Sequence, residues 1–270
     1  MNVDLHLHST ASDGTLPPAD VVSAAAEAGL HVIALTDHDT VAGVGEGRQS
    51  ARRVGTIEVI PAIEVSTSLG GSDLHILGYF VDPEHPELQG HVESAAHGRQ
   101  SRMRRMVERL KEQGVDVPFE RVTAEAVGAP MGRPHLARAL VAEGIVGSVP
   151  LAFDLYIGND RPAYIPSSLL DTGEALGLIQ RAGGVAVWAH PPRHLVSSLL
   201  PGLRESGLGG LEVYRPRWSP DRVLQLEEAA RTWGLLVSGG SDWHGPDDGP
   251  LGDFCVPSSD VQGLLEVGGL

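Results

Sequence analysis

Val3-Asp4-Leu5-His6-Leu7-His8 alternates apolar and polar side chains at the two-residue period of a β-strand. The alternation predicts Val3, Leu5 and Leu7 on a core-facing side and Asp4, His6 and His8 on the other. Two imidazoles two residues apart on one face can chelate a single metal ion. Taken alone the pair is a weak signal. Ser12-Asp13-Gly14 adds a carboxylate in the next loop, although Asp13 before a glycine also reads as an ordinary turn residue.

Outward from this strand, short apolar runs alternate with helix-like segments. Residues 32–35, 57–63, 74–80, 185–188, 211–214, 235–237 and 254–256 join 3–7 as expected strands. Helix starts are signalled by Thr15 before Pro17-Pro18, Asp171-Thr172 before Glu174, and Ser219-Pro220-Asp221 before a segment ending at Gly234. Such alternation predicts an α/β fold with a mostly parallel sheet, open or closed into a barrel. From about Gly98 to Pro166 the patterns are helical instead, at 100–113, 134–143 and near 149–157. The expected organisation is a barrel built from residues 1–97 and 167–270, interrupted by a helical insertion over 98–166.

The strand ends carry the chemistry. Thr36-Asp37-His38-Asp39-Thr40 places a histidine between two acids, which packing does not explain; Asp37 and Asp39 suit orienting ligands through hydrogen bonds. Pro61-Ala62-Ile63-Glu64-Val65 sets a carboxylate among apolar residues, where a lone charge needs a cation or a proton. His75 sits between Leu74 and Ile76; its plain alternative is a neutral imidazole satisfied by a backbone carbonyl. In the second half, Ala189-His190-Pro191 follows one apolar run, and Ser241-Asp242-Trp243-His244 follows another through Ser238-Gly239-Gly240. Sites in parallel α/β folds gather at the carboxyl ends of strands, and these residues follow or close their runs. His31, His85, His91, His97 and His194 lie near helix ends or in polar loops and are expected to be solvated.

With 270 residues and 41% apolar side chains, the chain has material for a sizeable core. No run is apolar for long enough to cross a bilayer, and the N-terminus lacks a basic segment followed by an apolar one, so a cytoplasmic protein without a signal peptide is expected. The single cysteine, Cys255, reads as a small buried side chain between Phe254 and Val256. A net charge of −15 argues against partners such as long nucleic acid. It does not argue against a small anionic substrate, because bound cations reverse the local charge.

The ordered set His6-x-His8, Asp13, Thr36-Asp37-His38-Asp39, Glu64, His75, Ala189-His190-Pro191 and Ser241-Asp242-x-His244 resembles the PHP (polymerase and histidinol phosphatase) family. The resemblance runs through both ends of the chain and leaves out the helical middle. It implies a distorted seven-stranded β/α barrel holding three divalent metal ions. One ion would take His6, His8, Glu64 and Asp242; a second Asp13, His38 and His244; a third Glu64, His75 and His190. Asp4, Asp37 and Asp39 would stand behind these ligands. Mixed imidazole and carboxylate ligands suit Mn²⁺, Fe²⁺ or Zn²⁺, with Mn²⁺ the first expectation.

Within the family the chain is most similar to the branch that dephosphorylates nucleoside 3′,5′-bisphosphates to the 5′-monophosphate, related to a 5′→3′ exoribonuclease of short RNA. In that branch a helical insertion holds the substrate phosphates, which implies substrate contacts at Arg99, Arg102, Arg133, His135 and Arg161, with Arg193 beside them. The loop Gly158-Asn159-Asp160-Arg161 departs from the branch, where lysines are common, and Asp160 would oppose a nearby phosphate.

The expected reaction is hydrolysis of a phosphate ester. Two cations about 3.5–4 Å apart hold a hydroxide in line with phosphorus and neutralise the leaving oxygen, so no separate general base is needed. Arg99, Arg102 and His135 are expected to position a second phosphate. Competing expectations are a phosphatase for a metabolite such as histidinol phosphate, a nuclease on short RNA ends, and a metal-stabilised module without catalysis. The last predicts missing ligands, and none is missing.

Overall fold

The structure, a computed structural model, describes residues 1–70, 72–166 and 170–270. Among these the strands are β1 (Asn2–Leu7), β2 (Val32–Leu35), β3 (Glu58–Leu69), β4 (Ser72–Tyr79), β5 (Leu170–Asp171), β6 (Val185–Trp188), β7 (Gly210–Tyr214), β8 (Leu236–Gly239) and β9 (Val256–Pro257). The helices are α1 (Pro18–Glu27), α2 (Ala42–Val54), α3 (Pro86–Glu112), α4 (Phe119–Ala126), α5 (Arg133–Ala142), α6 (Val149–Ala152), α7 (Thr172–Arg181), α8 (Arg193–Glu205), α9 (Pro220–Trp233) and α10 (Gln262–Val267).

The strands form one sheet in the order β8-β7-β6-β4-β3-β2-β1-β9, with β5 beside β3. Pairing is parallel along β1-β2-β3 and along β6-β7-β8. It is antiparallel at β3-β4, β4-β6 and β1-β9. The expected mostly parallel sheet is therefore a mixed one. The connection from Leu69 to Ser72 is too short for a crossover helix, so β4 must turn back along β3. Beyond β8 the chain returns to β1: the Asp242 N–H donates to the His6 carbonyl at 2.9 Å and the His8 N–H to the Trp243 carbonyl at 3.0 Å. These bonds nearly close the sheet into a barrel.

Val3, Leu5, Ala34, Ile60, Leu77 and Tyr79 pack together in one buried cluster, to which α10 adds Leu264 and Leu265. The Tyr79 hydroxyl donates to the Leu5 carbonyl at 2.8 Å, satisfying both buried groups. Leu7 does not share that cluster; it packs with Ile33, Leu35 and Val21 under α1. The β1-β2 ladder shifts register between Asp4 and Leu7, and such a bulge re-aims the residues beyond it. The strict alternation expected for β1 thus stops before the metal-binding end.

Asp171 and Ser219 cap α7 and α9 with their side chains, as their positions predict. Thr15 does not cap α1; its hydroxyl donates to the His244 carbonyl at 3.2 Å instead. Residues 98–166 hold helices joined by turns and no strand, with a buried cluster that includes Met103, Met106, Val122, Leu136 and Leu140. Helix α3 begins at Pro86, so residue 98 falls inside a continuous helix, and α4 lies where no helix was expected. No described helix is long and apolar enough to cross a membrane.

Gly240 shows how tightly the closing seam is built. A Cβ there would lie 2.4 Å from the His6 nitrogen and 2.5 Å from its Cβ. Gly45, in α2, has nothing within 4 Å of the same position. Gly240→Ala should therefore destabilise the protein by about 1–3 kcal/mol through overpacking. Gly45→Ala should stabilise it by about 0.5–1 kcal/mol through helix propensity. Urea denaturation measures both, and equal shifts of one sign would contradict the closed seam.

Candidate metal centre

Glu64 is fully buried in the middle of β3, across from Leu77 of the antiparallel β4 and two residues from the pair Ser66 and His75. Its Oε2 lies 3.1 Å from His6 Nε2, 3.2 Å from His8 Nε2 and 3.3 Å from His38 Nδ1. Its Oε1 lies 2.8 Å from His75 Nδ1 and 3.0 Å from His190 Nε2. His75 reaches this carboxylate because β4 runs opposite to β3, so the beginning of β4 meets the same end of the barrel. Its partner is Glu64 rather than a backbone carbonyl.

Asp242 Oδ1 stands 3.2 Å from the Nε2 of both His6 and His8. Asp13 lies 3.5 Å from His244 and 4.0 Å from His38. All nine expected ligands therefore converge. Three subsets have ligand atoms close enough to share one ion: His6, His8, Glu64 and Asp242; His8, Asp13, His38 and His244; and His38, Glu64 and His75. The first is the expected set. The second gains His8, and the third has His38 where His190 was expected, although His190 still contacts Glu64.

Among the described residues, both ring nitrogens of buried His8 and Nδ1 of His38 have no hydrogen-bond partner. Buried imidazole nitrogens are normally satisfied. A cation would satisfy them, and a cluster of imidazole and carboxylate donors is what a divalent transition ion takes. The residues fit the implied metals.

Charge balance without the ions points the same way. Burial opposes a charged His8, but Asp242 and Glu64 hold its pKa up to about 10. Burial likewise opposes a charged His6, yet Asp242, Glu212 and Glu64 raise it well above the ordinary imidazole value. Burial dominates at His38 and lowers its pKa to about 3. Glu64 pays the desolvation of burial and is still driven well below the carboxylate range by His38, His6 and His75.

His190 and Asp242 adopt positive φ values of 33° and 57°. Such backbone costs on the order of 1–3 kcal/mol and persists where surrounding structure enforces it. At His190 the enforcing group is Glu212, whose Oε2 accepts the His190 backbone N–H at 2.5 Å. Glu212 Oε1 also meets His6 Nδ1 at 2.8 Å, orienting that imidazole toward the cluster.

Glu212 is a functional residue that the sequence reading passed over. The signal was a buried acid in the apolar run 211–214, the same pattern that singled out Glu64. Arg215 was also passed over; it donates to Asp242 Oδ2 at 2.7 Å. The aspartates expected to orient ligands act on backbone and loops instead. Asp4 accepts from the backbone of His6 and Ser241. Asp37 holds Ser9 and Ser12. Asp39 accepts from the Ser66 N–H and from Arg99. His91 lies 3.4 Å from Asp39 and is not solvated as expected.

Two cavities share His38, His75 and His244. One, of about 160 Å³, lies against the helical segment and is also lined by Arg99, Arg102 and Arg133. The other, of about 440 Å³, is lined by Arg215, Trp218 and Arg222 together with His190.

Of the expected substrate contacts, Arg102 and Arg133 face the first cavity with partly free guanidinium groups. Arg102 spends Nε on the Ile165 carbonyl and Arg133 one nitrogen on Asn159. Arg99 lines the same cavity but is tied by Asp39 and Ser66. His135 is a correction. It is buried, its Nδ1 accepts the Gly132 N–H at 2.8 Å to cap α5, and burial lowers its pKa to about 4. That ring is neutral and committed to the helix start, so it does not offer a phosphate a cation. Arg161 and Asp160 are exposed and line neither cavity. Arg193 is exposed and faces a groove between α8 and α9 instead.

A profile of the PHP domain matches residues 4–101. A 5′-3′ exoribonuclease of Haemophilus influenzae is 36% identical over 248 residues, covering 90% of this chain and 90% of its own length. The chain belongs to the PHP domain family. A second relative, the 3′,5′-nucleoside bisphosphate phosphatase of Chromobacterium violaceum, is 35% identical over 92% of this chain and 89% of its own. A solved structure from Bifidobacterium adolescentis, provisionally named a metal-dependent phosphoesterase, superposes with a TM-score of 0.90 at 32% identity, covering 98% of this chain and 96% of that one.

The raised pKa values of His6 and His8 set a proton balance for this PHP domain. At neutral pH both imidazoles are held in the cationic form in the metal-free protein, and a ligating imidazole must give up the proton on the nitrogen that meets the ion. Binding of Mn²⁺ should therefore release protons, and apparent affinity should rise with pH. Calorimetry in buffers of different ionisation enthalpy reads the protons directly. Proton uptake, or affinity independent of pH, would contradict the assignment.

Proposed function

We propose that this PHP domain is a metal-dependent phosphoesterase that removes the 3′-phosphate of nucleoside 3′,5′-bisphosphates. The supporting observation is the junction of two features: a cluster of eight ligand residues, with His190 against its Glu64, opens directly into a cavity walled by Arg102 and Arg133. His6, His8, Asp13, His38, Glu64, His75, His190, Asp242 and His244 hold up to three divalent cations, manganese being our first choice. When bound, the cations supply an activated water and neutralise charge on the phosphoryl group.

The chain's own residues do the rest. Glu212 and Arg215 fix His6 and Asp242. The segment 98–166 serves as an insertion that carries the phosphate contacts, with Arg102 on α3 and Arg133 on α5. Burial lowers the pKa of Arg102 to about 10, and Arg133 and Arg99 nearby push the same way. Both guanidiniums still carry charge at neutral pH; Asp73 lines the same cavity with the Tyr164 hydroxyl on its carboxylate, and two cations facing one acid keep a net positive charge that attracts an anion. There they bind the 5′-phosphate and present the 3′-phosphate to the cluster. Asp39 pins Arg99, making it the wall of this pocket rather than its clamp. The two relatives named above carry different substrate names at nearly equal identity, so the choice rests on this cavity.

A panel with added Mn²⁺ tests the proposal, using adenosine 3′,5′-bisphosphate, short 5′-phosphorylated RNA and histidinol phosphate. The bisphosphate should be turned over well and histidinol phosphate poorly; the reverse order rejects the substrate. His190→Ala should lower kcat by at least about 100-fold while circular dichroism shows the fold intact. Arg102→Ala should raise KM for the bisphosphate by about 10- to 100-fold. The same variant should change little with adenosine 3′-monophosphate. Equal losses on both would remove Arg102 from the clamp.

A further inference from the structure

We infer that the groove between α8 and α9 is a binding site for a small amphipathic carboxylate, its head group held by Arg193 and Arg222 and its alkyl tail running toward Trp233. The site stands apart from the metal centre, goes beyond the phosphoesterase reading and does not rest on it.

The two helices run side by side in the same direction. At their starts, Arg222 in the first turn of α9 donates to the carbonyl of Pro191, two residues before α8, at 2.5 Å. At their ends, Arg204 of α8 donates to the carbonyl of Trp233, the last residue of α9, at 3.1 Å. Between these ties lies a cavity of about 350 Å³, and none of the nine residues assigned to the metals lines it. Its volume falls within the range of roughly 300–1,000 Å³ typical of small-ligand sites. The space exists because short side chains face it, Ser197 from α8 and Ala229 and Thr232 from α9. Leu200 and Leu226, both buried, form its floor.

The groove has two chemically different ends. Arg193 and Arg222 stand at the end where the helices begin, and among the described residues neither is paired with an acid. The Arg222 Cζ sits 3.9 Å from the centroid of the Trp218 ring, and its Nε is buried without a partner. Burial lowers the pKa of Arg222, and the charges of Arg193 and Arg215 push the same way. The Arg193 and Arg222 guanidiniums therefore feel one another with no counter-charge between them. In a chain with 35 acidic residues and a net charge of −15, such a pair is an opening for an anion.

Polarity falls away from that end. Val196, Leu200, Leu226 and Ala229 line the length of the groove, and a 39% exposed indole at Trp233 marks its far end. From Arg222 to Trp233 the helix rises about 16 Å. Glu228 is the one acid on the wall. It lies more than a turn beyond Arg222, with its carboxylate 3.3 Å from Arg231.

This pairing of ends selects the ligand. Inorganic phosphate would meet the arginines and leave the apolar length uncovered. A neutral alcohol would cover the apolar length and leave the arginines unpaired. A carboxylate on an alkyl chain meets both, and its single charge suits an end where one guanidinium already serves the Pro191 carbonyl.

Calorimetric titration of the manganese-loaded protein with decanoate, below the concentration at which decanoate self-associates, tests the site. Decanoate should saturate a single site per chain. Acetate, the head alone, and decanol, the tail alone, should each bind at least about ten-fold more weakly. Arg193→Gln should weaken decanoate about three- to ten-fold by removing a charge-assisted partner. Ser197→Leu should weaken it at least about ten-fold by filling the groove. Thr232→Leu fills the same space should Ser197→Leu fail to fold.

Decanoate that does not saturate, or acetate that binds equally well, overturns the site. So does affinity unchanged within about two-fold in both the folded arginine variant and the groove-filling one. Vesicles of phosphatidylglycerol separate a free acid from a membrane surface. The protein should not sediment with them, and sedimentation that Ser197→Leu abolishes would overturn the free acid as the occupant.

Discussion

A single buried carboxylate in contact with five imidazoles organises this protein. Glu64 has no exposed surface, and each of its oxygens meets at least two histidine nitrogens. An isolated carboxylate at that depth is untenable, because desolvation costs several kcal/mol that only opposite charge can offset. The histidines that surround it come from β1 and the residue after it, from the loops that follow β2 and β6, and from the first half of β4. The barrel must therefore close for Glu64 to be stable, and closing it assembles the site.

Two details make that closure possible. The antiparallel pairing of β3 with β4 delivers His75 beside Glu64 on adjoining strands. The glycine pair before Ser241 lets the last loop press against β1, bringing Asp242 and His244 over His6 and His8. Glu212 and Arg215 then hold the pieces in orientation from β7 and its loop. The strained backbone at His190 and Asp242 is the cost of aiming ligands from loops, and the surrounding hydrogen bonds offset it.

Much of this was legible in the sequence, because charged and imidazole side chains at the ends of apolar runs have few structural reasons to be there. Glu64 stood out from pattern as a carboxylate in need of a cation or a proton, the histidine pair at β1 only weakly, and it was the resemblance that supplied the ligand set. What remained hidden depends on spatial neighbours rather than on local pattern. The β1 bulge moves Leu7 into another cluster, which the alternation of Val3, Leu5 and Leu7 does not reveal. His135 sits in a basic-looking stretch, yet its position three residues after Gly132 makes it a helix cap. Arg99 looked like a phosphate ligand until Asp39 was found across from it, 60 residues away in the chain. Glu212 was readable by the logic applied to Glu64; the acid lay in plain view within its strand.

The most direct measurement is a count of bound metal in the whole protein after manganese loading and gel filtration, by plasma mass spectrometry, for wild type and for Glu64→Gln. The account predicts two to three ions per wild-type chain, about the number its overlapping ligand sets hold, and a loss of more than half in the variant. Wild type that retains no manganese, or Glu64→Gln that keeps the full complement, would contradict it.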